Sequence, residues 1–156
     1  MFTPGCKDTD HRETPKWLKQ AIYDKFSFGE SMYDPCPLEP EFDGLVSYWH
    51  KNNFVNPPYS NGRQKIWTEK AIKEYKIGRV VYLLLKFDTS TELYNTLIVK
   101  YCRLIYTFDC RIPFTNAGSP NFDNALFVFS KVVDSVIEYP TTIIKQFPVK
   151  HLKPKK

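Results

Sequence analysis

The sequence predicts an α/β protein, an open sheet flanked by helices with an antiparallel edge toward its C-terminal end. Three observations lead there. Helical patterns alternate with short apolar runs through most of the chain, the last third turns to strand-like segments, and 156 residues with 42% hydrophobic content hold one core but not two. The expected layout is a polar arm over 1–13, one domain over 14–144 and a basic tail over 145–156.

Thr14-Pro15 opens the first helix, Thr14 as N-cap and Pro15 as its first residue, ahead of Trp17, Leu18, Ala21, Ile22 and Phe26 at helical spacing. Residues 31–34 form a short strand stopped by Pro35 and Pro37, and an acidic, proline-rich connection leads to Tyr48 and Trp49. Asn53-Phe54-Val55 is a brief buried strand that must end at Pro57 and Pro58, which cannot donate to a ladder. From about Gln64 a second helix places Trp67, Ala71 and Tyr75 on one face, with Lys65, Lys70, Lys73 and Lys76 elsewhere and Gly78 as its stop. The run 79–87 is a fully buried strand. A third helix carries Leu93, Leu97, Ile98 and Tyr101, and 103–108 is another strand. Residues 111–114 and 125–131 supply the antiparallel edge around a loop with Gly118, Ser119 and Pro120.

Composition narrows the function. Cys6, Cys36, Cys102 and Cys110 form no CxxC pair and have no histidine at ligand spacing, so neither zinc nor a disulfide framework is expected. The longest apolar stretch, 80–85, is too short for a bilayer, and Lys7, Asp8 and Asp10 stand where a signal peptide would be apolar. A soluble, intracellular protein with no membrane partner is expected, as monomer or homodimer. The net charge of +5, with Lys145, Lys150, Lys153, Lys155 and Lys156 crowding the end, suits a polyanion.

The string Phe54-Val55-Asn56-Pro57-Pro58-Tyr59 carries the chemistry. It lies at the carboxyl end of a buried strand, where open α/β sheets bind ligands. An exocyclic amino group on adenine or cytosine has its lone pair delocalised into the ring. It becomes a nucleophile when two acceptors hold its hydrogens in a more tetrahedral arrangement. The Asn56 side-chain oxygen can accept one and the Pro57 carbonyl the other, and Pro57 and Pro58 fix that carbonyl in advance. Tyr59 offers a π face for an extruded base. A plain proline-rich turn is the competing reading of this string. A Pro-Pro-x-Tyr peptide ligand is excluded, because Tyr59 follows Pro58 directly.

The string resembles the amino-methyltransferase motif (Asn/Asp/Ser)-Pro-Pro-(Tyr/Phe), and its neighbours resemble the phage-type Dam-like adenine-N6 DNA methyltransferases. Thr14-Pro15, Asp34-Pro35-Cys36, Trp49, 54–60, Trp67 with Lys70-Ala71, 80–85, Arg111-Ile112-Pro113-Phe114 and 126–129 agree in order over about residues 14–130. The resemblance implies a class I, Rossmann-like methyltransferase sheet and S-adenosylmethionine as cofactor. It places Thr14, Pro15, Asp34, Pro35, Cys36, Phe54 and Asn56 around that cofactor, and makes Asn56, Pro57, Pro58 and Tyr59 catalytic. DNA is the implied partner, its target base flipped out beside Tyr59, Arg111 and Phe114, with Arg63 and Lys65 as phosphate contacts near the motif.

The sequence also departs from that pattern. No glycine-rich loop follows Asp34, and only 21 residues separate Asp34 from Asn56, too few for two further strand-helix units. The cofactor half of the sheet is therefore expected to be reduced. Glu39, Glu41 and Asp43 are candidates for the ribose-holding acid by position alone. A degenerate methyltransferase fold that binds nucleic acid without methyl transfer is the alternative, as are transfer to cytosine N4 or to RNA. A glutamine acceptor fits less well, since those enzymes carry a full glycine-rich loop.

Overall fold

The structure, a computed structural model, describes residues 12–60, 62–115 and 120–155. Most of the polar arm, Cys6, Gly118, Ser119 and Lys156 lie outside the described residues. Five strands form one open sheet in the order β1-β2-β4-β3-β5. They are β1 (Asn52–Val55), β2 (Val80–Lys86), β3 (Leu104–Phe108), β4 (Asn124–Phe129) and β5 (Ile143–Phe147). β1 pairs parallel with β2 and β3 with β5, while β4 runs antiparallel to both of its neighbours.

The period of two along the strands sorts their side chains onto two faces. Val81, Leu83 and Leu85 of β2 and Ala125, Phe127 and Phe129 of β4 pack with Trp67, Ala71, Ile72 and Tyr75 of α2 (Arg63–Lys76). Tyr82, Leu84, Leu126 and Val128 face the other way, onto Leu18, Ala21 and Ile22 of α1 (Lys16–Ser27). Each helix covers one face through an apolar stripe spaced three and four residues apart. Among the described residues no helix is long and apolar enough to cross a membrane.

Several expectations are corrected. The antiparallel strand is interior: β4 lies between β2 and β3, and the C-terminal edge is β5, parallel to its neighbour. β5 crosses the boundary expected at 144/145, so Lys145 belongs to a strand, and Phe147 and Val149 are buried behind it. Residues 111–114 form no strand of the sheet, and Lys131 starts a short helix, α4 (Lys131–Asp134). The strand at 31–34 is a single parallel bridge from Tyr33 to Asn53. The third helix is a π turn, Tyr94–Ile98, running into α3 (Val99–Tyr101). Thr14 is not the N-cap of α1. Pro15 holds that place with an extended ψ of 142°, and no side chain caps the helix.

Between Tyr33 and β1 the chain is irregular, as the short spacing demands. It is pinned from below. The buried Glu74 carboxylate of α2 accepts the Trp49 backbone N–H at 2.5 Å and pairs with Lys70, and the Trp49 indole donates to the Gly44 carbonyl at 2.8 Å. Gly44 is required here: a Cβ on it would stand 1.9 Å from the Pro35 carbonyl oxygen and 2.9 Å from the Trp67 ring.

Candidate active site

β1 delivers Asn56 to the carboxyl edge of the sheet, and Asn56, Pro57, Pro58 and Tyr59 are all buried. The Asn56 amide nitrogen donates to the Arg12 carbonyl and to the Thr14 hydroxyl, the latter at 2.8 Å. A carbonyl can only accept, so these partners fix which end of the carboxamide is nitrogen. The Asn56 oxygen is thereby turned the other way, where it accepts the Tyr59 hydroxyl at 3.1 Å. A carboxamide oxygen has two lone pairs and can take a substrate N–H beside that phenol or in its place. Burial pushes the Tyr59 phenol far above its ordinary pKa, so it stays a neutral donor at any working pH.

Two cavities lie at the motif, one at Asn56 and the other at Tyr59. The first, of about 100 Å³, is lined by Asn56, Thr14, Asp34 and Cys36 together with Glu13 and Lys19. It is smaller than the roughly 300–1,000 Å³ of ordinary ligand pockets, and its walls are the irregular segments around Thr14 and after Tyr33. The second, of about 370 Å³, is lined by Tyr59, Gln64, Lys65, Lys86 and Thr91. The Tyr59 ring packs edge-on against Phe114 and Phe122 at 6.1 and 5.7 Å, and the Lys86 ammonium lies 4.5 Å from the centre of the Phe122 ring.

The residues singled out in the sequence divide between these chambers. Thr14, Asp34, Cys36 and Asn56 meet at the first. The Asp34 carboxylate accepts the Cys36 N–H at 2.8 Å and stands 3.9 Å from the Lys19 ammonium. Pro15, Pro35 and Phe54 do not line it: all three are buried behind the wall, Phe54 within the core against α1. Glu39, Glu41 and Asp43 do not reach it either. Glu39 and Glu41 are exposed, and Asp43 accepts the Leu45 N–H in its own turn at 3.0 Å. Among the described residues, the acids at the cavity are Glu13 and Asp34.

On the second side, Tyr59 and Lys65 meet as expected. Arg63 begins α2 without lining the cavity, its backbone N–H donating to the Ser60 carbonyl. Phe114 is buried against Tyr59, whereas Arg111 is exposed and pairs with Asp123 at 3.6 Å. Sequence reasoning missed Glu13, Lys19, Gln64, Lys86 and Asn124. Asn124 is 4% exposed, and its amide donates to the Tyr59 hydroxyl at 3.0 Å. The signal for Lys86 was present, a lysine closing an apolar strand at the ligand-binding edge. Asn124 had none, because its partner is 65 residues away.

No solved structure matches the chain. A DNA N-6-adenine-methyltransferase of Haemophilus phage HP1 (strain HP1c1) is 27% identical over 121 residues, 70% of this chain and 68% of that one. The family model of DNA N-6-adenine-methyltransferase (Dam) matches residues 5–146. That span holds every strand from β1 to β4 and both cavities around Asn56, and the chain belongs to this family of adenine-specific DNA methyltransferases.

Proposed function

We propose that Asn56, with the Pro57 carbonyl, receives the N6 amino group of an extruded adenine from the Tyr59 side and presents it toward S-adenosylmethionine held on the Thr14 side. The fixed orientation of the Asn56 amide carries this reading: its nitrogen is engaged by Arg12 and Thr14, and its oxygen is turned toward the hydroxyl of Tyr59, a residue that lines the larger cavity. The first cavity suits the cofactor by its chemistry. The Glu13 and Asp34 carboxylates match ribose hydroxyls or an ammonium, and the Lys19 ammonium matches a carboxylate. When bound, the cofactor supplies the electrophilic methyl group.

The chain's own residues prepare the nucleophile. Asn56 draws one amino hydrogen while the proline-fixed carbonyl takes the other, so the nitrogen lone pair is directed out of the ring plane. No strong base is needed. Tyr59 and Phe114 offer aromatic surface to a base taken out of its stack, and Lys65 and Lys86 at the larger cavity meet the phosphates. The lone antiparallel strand between β2 and β3, with Tyr33 bridging the outer side of β1, supports reading the sheet as a shortened class I methyltransferase sheet.

The test is methyl transfer from labelled S-adenosylmethionine to duplex DNA, beside calorimetric titration of the cofactor. Asn56→Ala lowers the rate by about a hundredfold or more and leaves cofactor affinity within a small factor of wild type. An unchanged rate removes Asn56 from the mechanism. No heat with wild-type protein removes the cofactor assignment and turns the reading toward a nucleic-acid-binding domain.

A further inference from the structure

Because β4 runs against the rest of the sheet, its first residue lies at the same rim as the last residues of the other strands. Asn124 is paired there with Lys86, directly behind the motif. Its side chain is buried, and both of its amide hydrogens are engaged, one by the Leu85 carbonyl at 3.2 Å and one by the Tyr59 hydroxyl oxygen at 3.0 Å. The opposite rotamer would set its oxygen against the Leu85 carbonyl, two acceptors facing each other, so the amide has one orientation. The Tyr59 oxygen is therefore an acceptor toward Asn124, and its single proton must go elsewhere. The Asn56 oxygen at 3.1 Å is nearer than the Leu84 carbonyl at 3.5 Å.

We propose that Asn124 is a positioning residue, which aims the Tyr59 O–H at the Asn56 oxygen and so holds the reacting carboxamide in register. The relay runs Asn124 to Tyr59 to Asn56, whose other end is tied to Thr14 and Arg12. Both ends of the Asn56 amide are then held before substrate arrives, which is how a buried polar network favours one geometry over its alternatives. One observation sets Asn124 apart from a filler of the core. Its own side-chain oxygen is buried with no hydrogen-bond partner among the described residues, a cost to folding that an apolar residue of similar size would not carry.

This inference rests on the reading of Asn56 as the acceptor of the amino hydrogen, and the experiment separates the two. In full-length protein, kcat and both KM values are measured for Asn124→Leu, which keeps the volume, for Tyr59→Phe, which keeps the ring, and for the double variant. Each single change is expected to lower kcat roughly tenfold, the worth of one oriented hydrogen bond, with KM for cofactor and DNA unchanged. The double variant is no slower than Tyr59→Phe, because no hydroxyl is left to aim. Asn124→Ser, which retains one hydrogen for the phenol oxygen, restores most of kcat, and it serves as the test should Asn124→Leu fold poorly. Losses that multiply in the double variant, an effect confined to KM, or an Asn124→Ser as slow as Asn124→Leu overturns the inference while leaving the Asn56 reading intact. An Asn56→Ala protein of full activity overturns both.

Discussion

The two chambers at the motif, one at Asn56 and one at Tyr59, are built by different means. The larger chamber, proposed for the target base, stands on regular elements, the end of β2, the first turn of α2 and the start of β4, which bring Lys86, Lys65 and Asn124 around Tyr59. The smaller chamber, proposed for the cofactor, stands on chain with no regular element between Tyr33 and β1, kept in shape by Glu74, Trp49, Gly44 and Trp67. A site on strands and helices inherits its precision from the core. A site on loops needs its own supports, and these can be removed one at a time.

The largest effect is expected from Trp67, which is fully buried and meets both Trp49 and the Gly44 backbone. Trp67→Ala should cost about 3–5 kcal/mol of unfolding free energy in a denaturant titration. Gly44→Ala is a sharper tool. Its Cβ collides with backbone, so the Pro35 segment must shift, at about 1–3 kcal/mol. Cofactor affinity measured by calorimetry should fall while DNA affinity holds; equal losses of both would show that the two sides are not separately supported. Lys65→Ala should do the converse, lowering the dependence of DNA binding on salt by about 0.9 in the log–log slope and leaving cofactor titrations unchanged.

The smallest effect lies away from both chambers. The Asp109 carboxylate accepts the Val149 and Lys150 N–H groups, both at 2.8 Å, and these bonds, that of Val149 foremost, hold its carboxyl below the ordinary range. A lowered native pKa adds stability above the unfolded value of about 4, and that stability is lost as pH falls through the native value. Protection of the Val149 and Lys150 amides, with the intrinsic exchange rate divided out, should therefore fall in acid, and in Asp109→Asn it should be low at every pH.

How much was legible follows the same division. β2 and α2 announced themselves by runs and periods that packing then used. Val81, Leu83 and Leu85 meet Trp67, Ala71 and Tyr75 as their spacing implies. β5 was missed because an edge strand need bury little, and only Phe147 of its five residues is buried. Thr14 was read as a cap from local chemistry, yet its hydroxyl serves Asn56, 42 residues away. Glu13 lines the first cavity where Glu39, Glu41 and Asp43 do not, for the same reason. The cofactor-side walls come together through the fold, and no window of sequence holds their pattern.

Two chambers joined only through the contact of Asn56 with Tyr59 would, on the proposed reading, also constrain the order of events. With the cofactor and the base in the chambers proposed for them, neither would have to vacate its place for the other to enter, and no covalent enzyme species would be needed to carry the methyl group across. Initial-rate plots with both substrates varied should give intersecting rather than parallel lines, and the spent cofactor and the modified duplex can depart by separate doors.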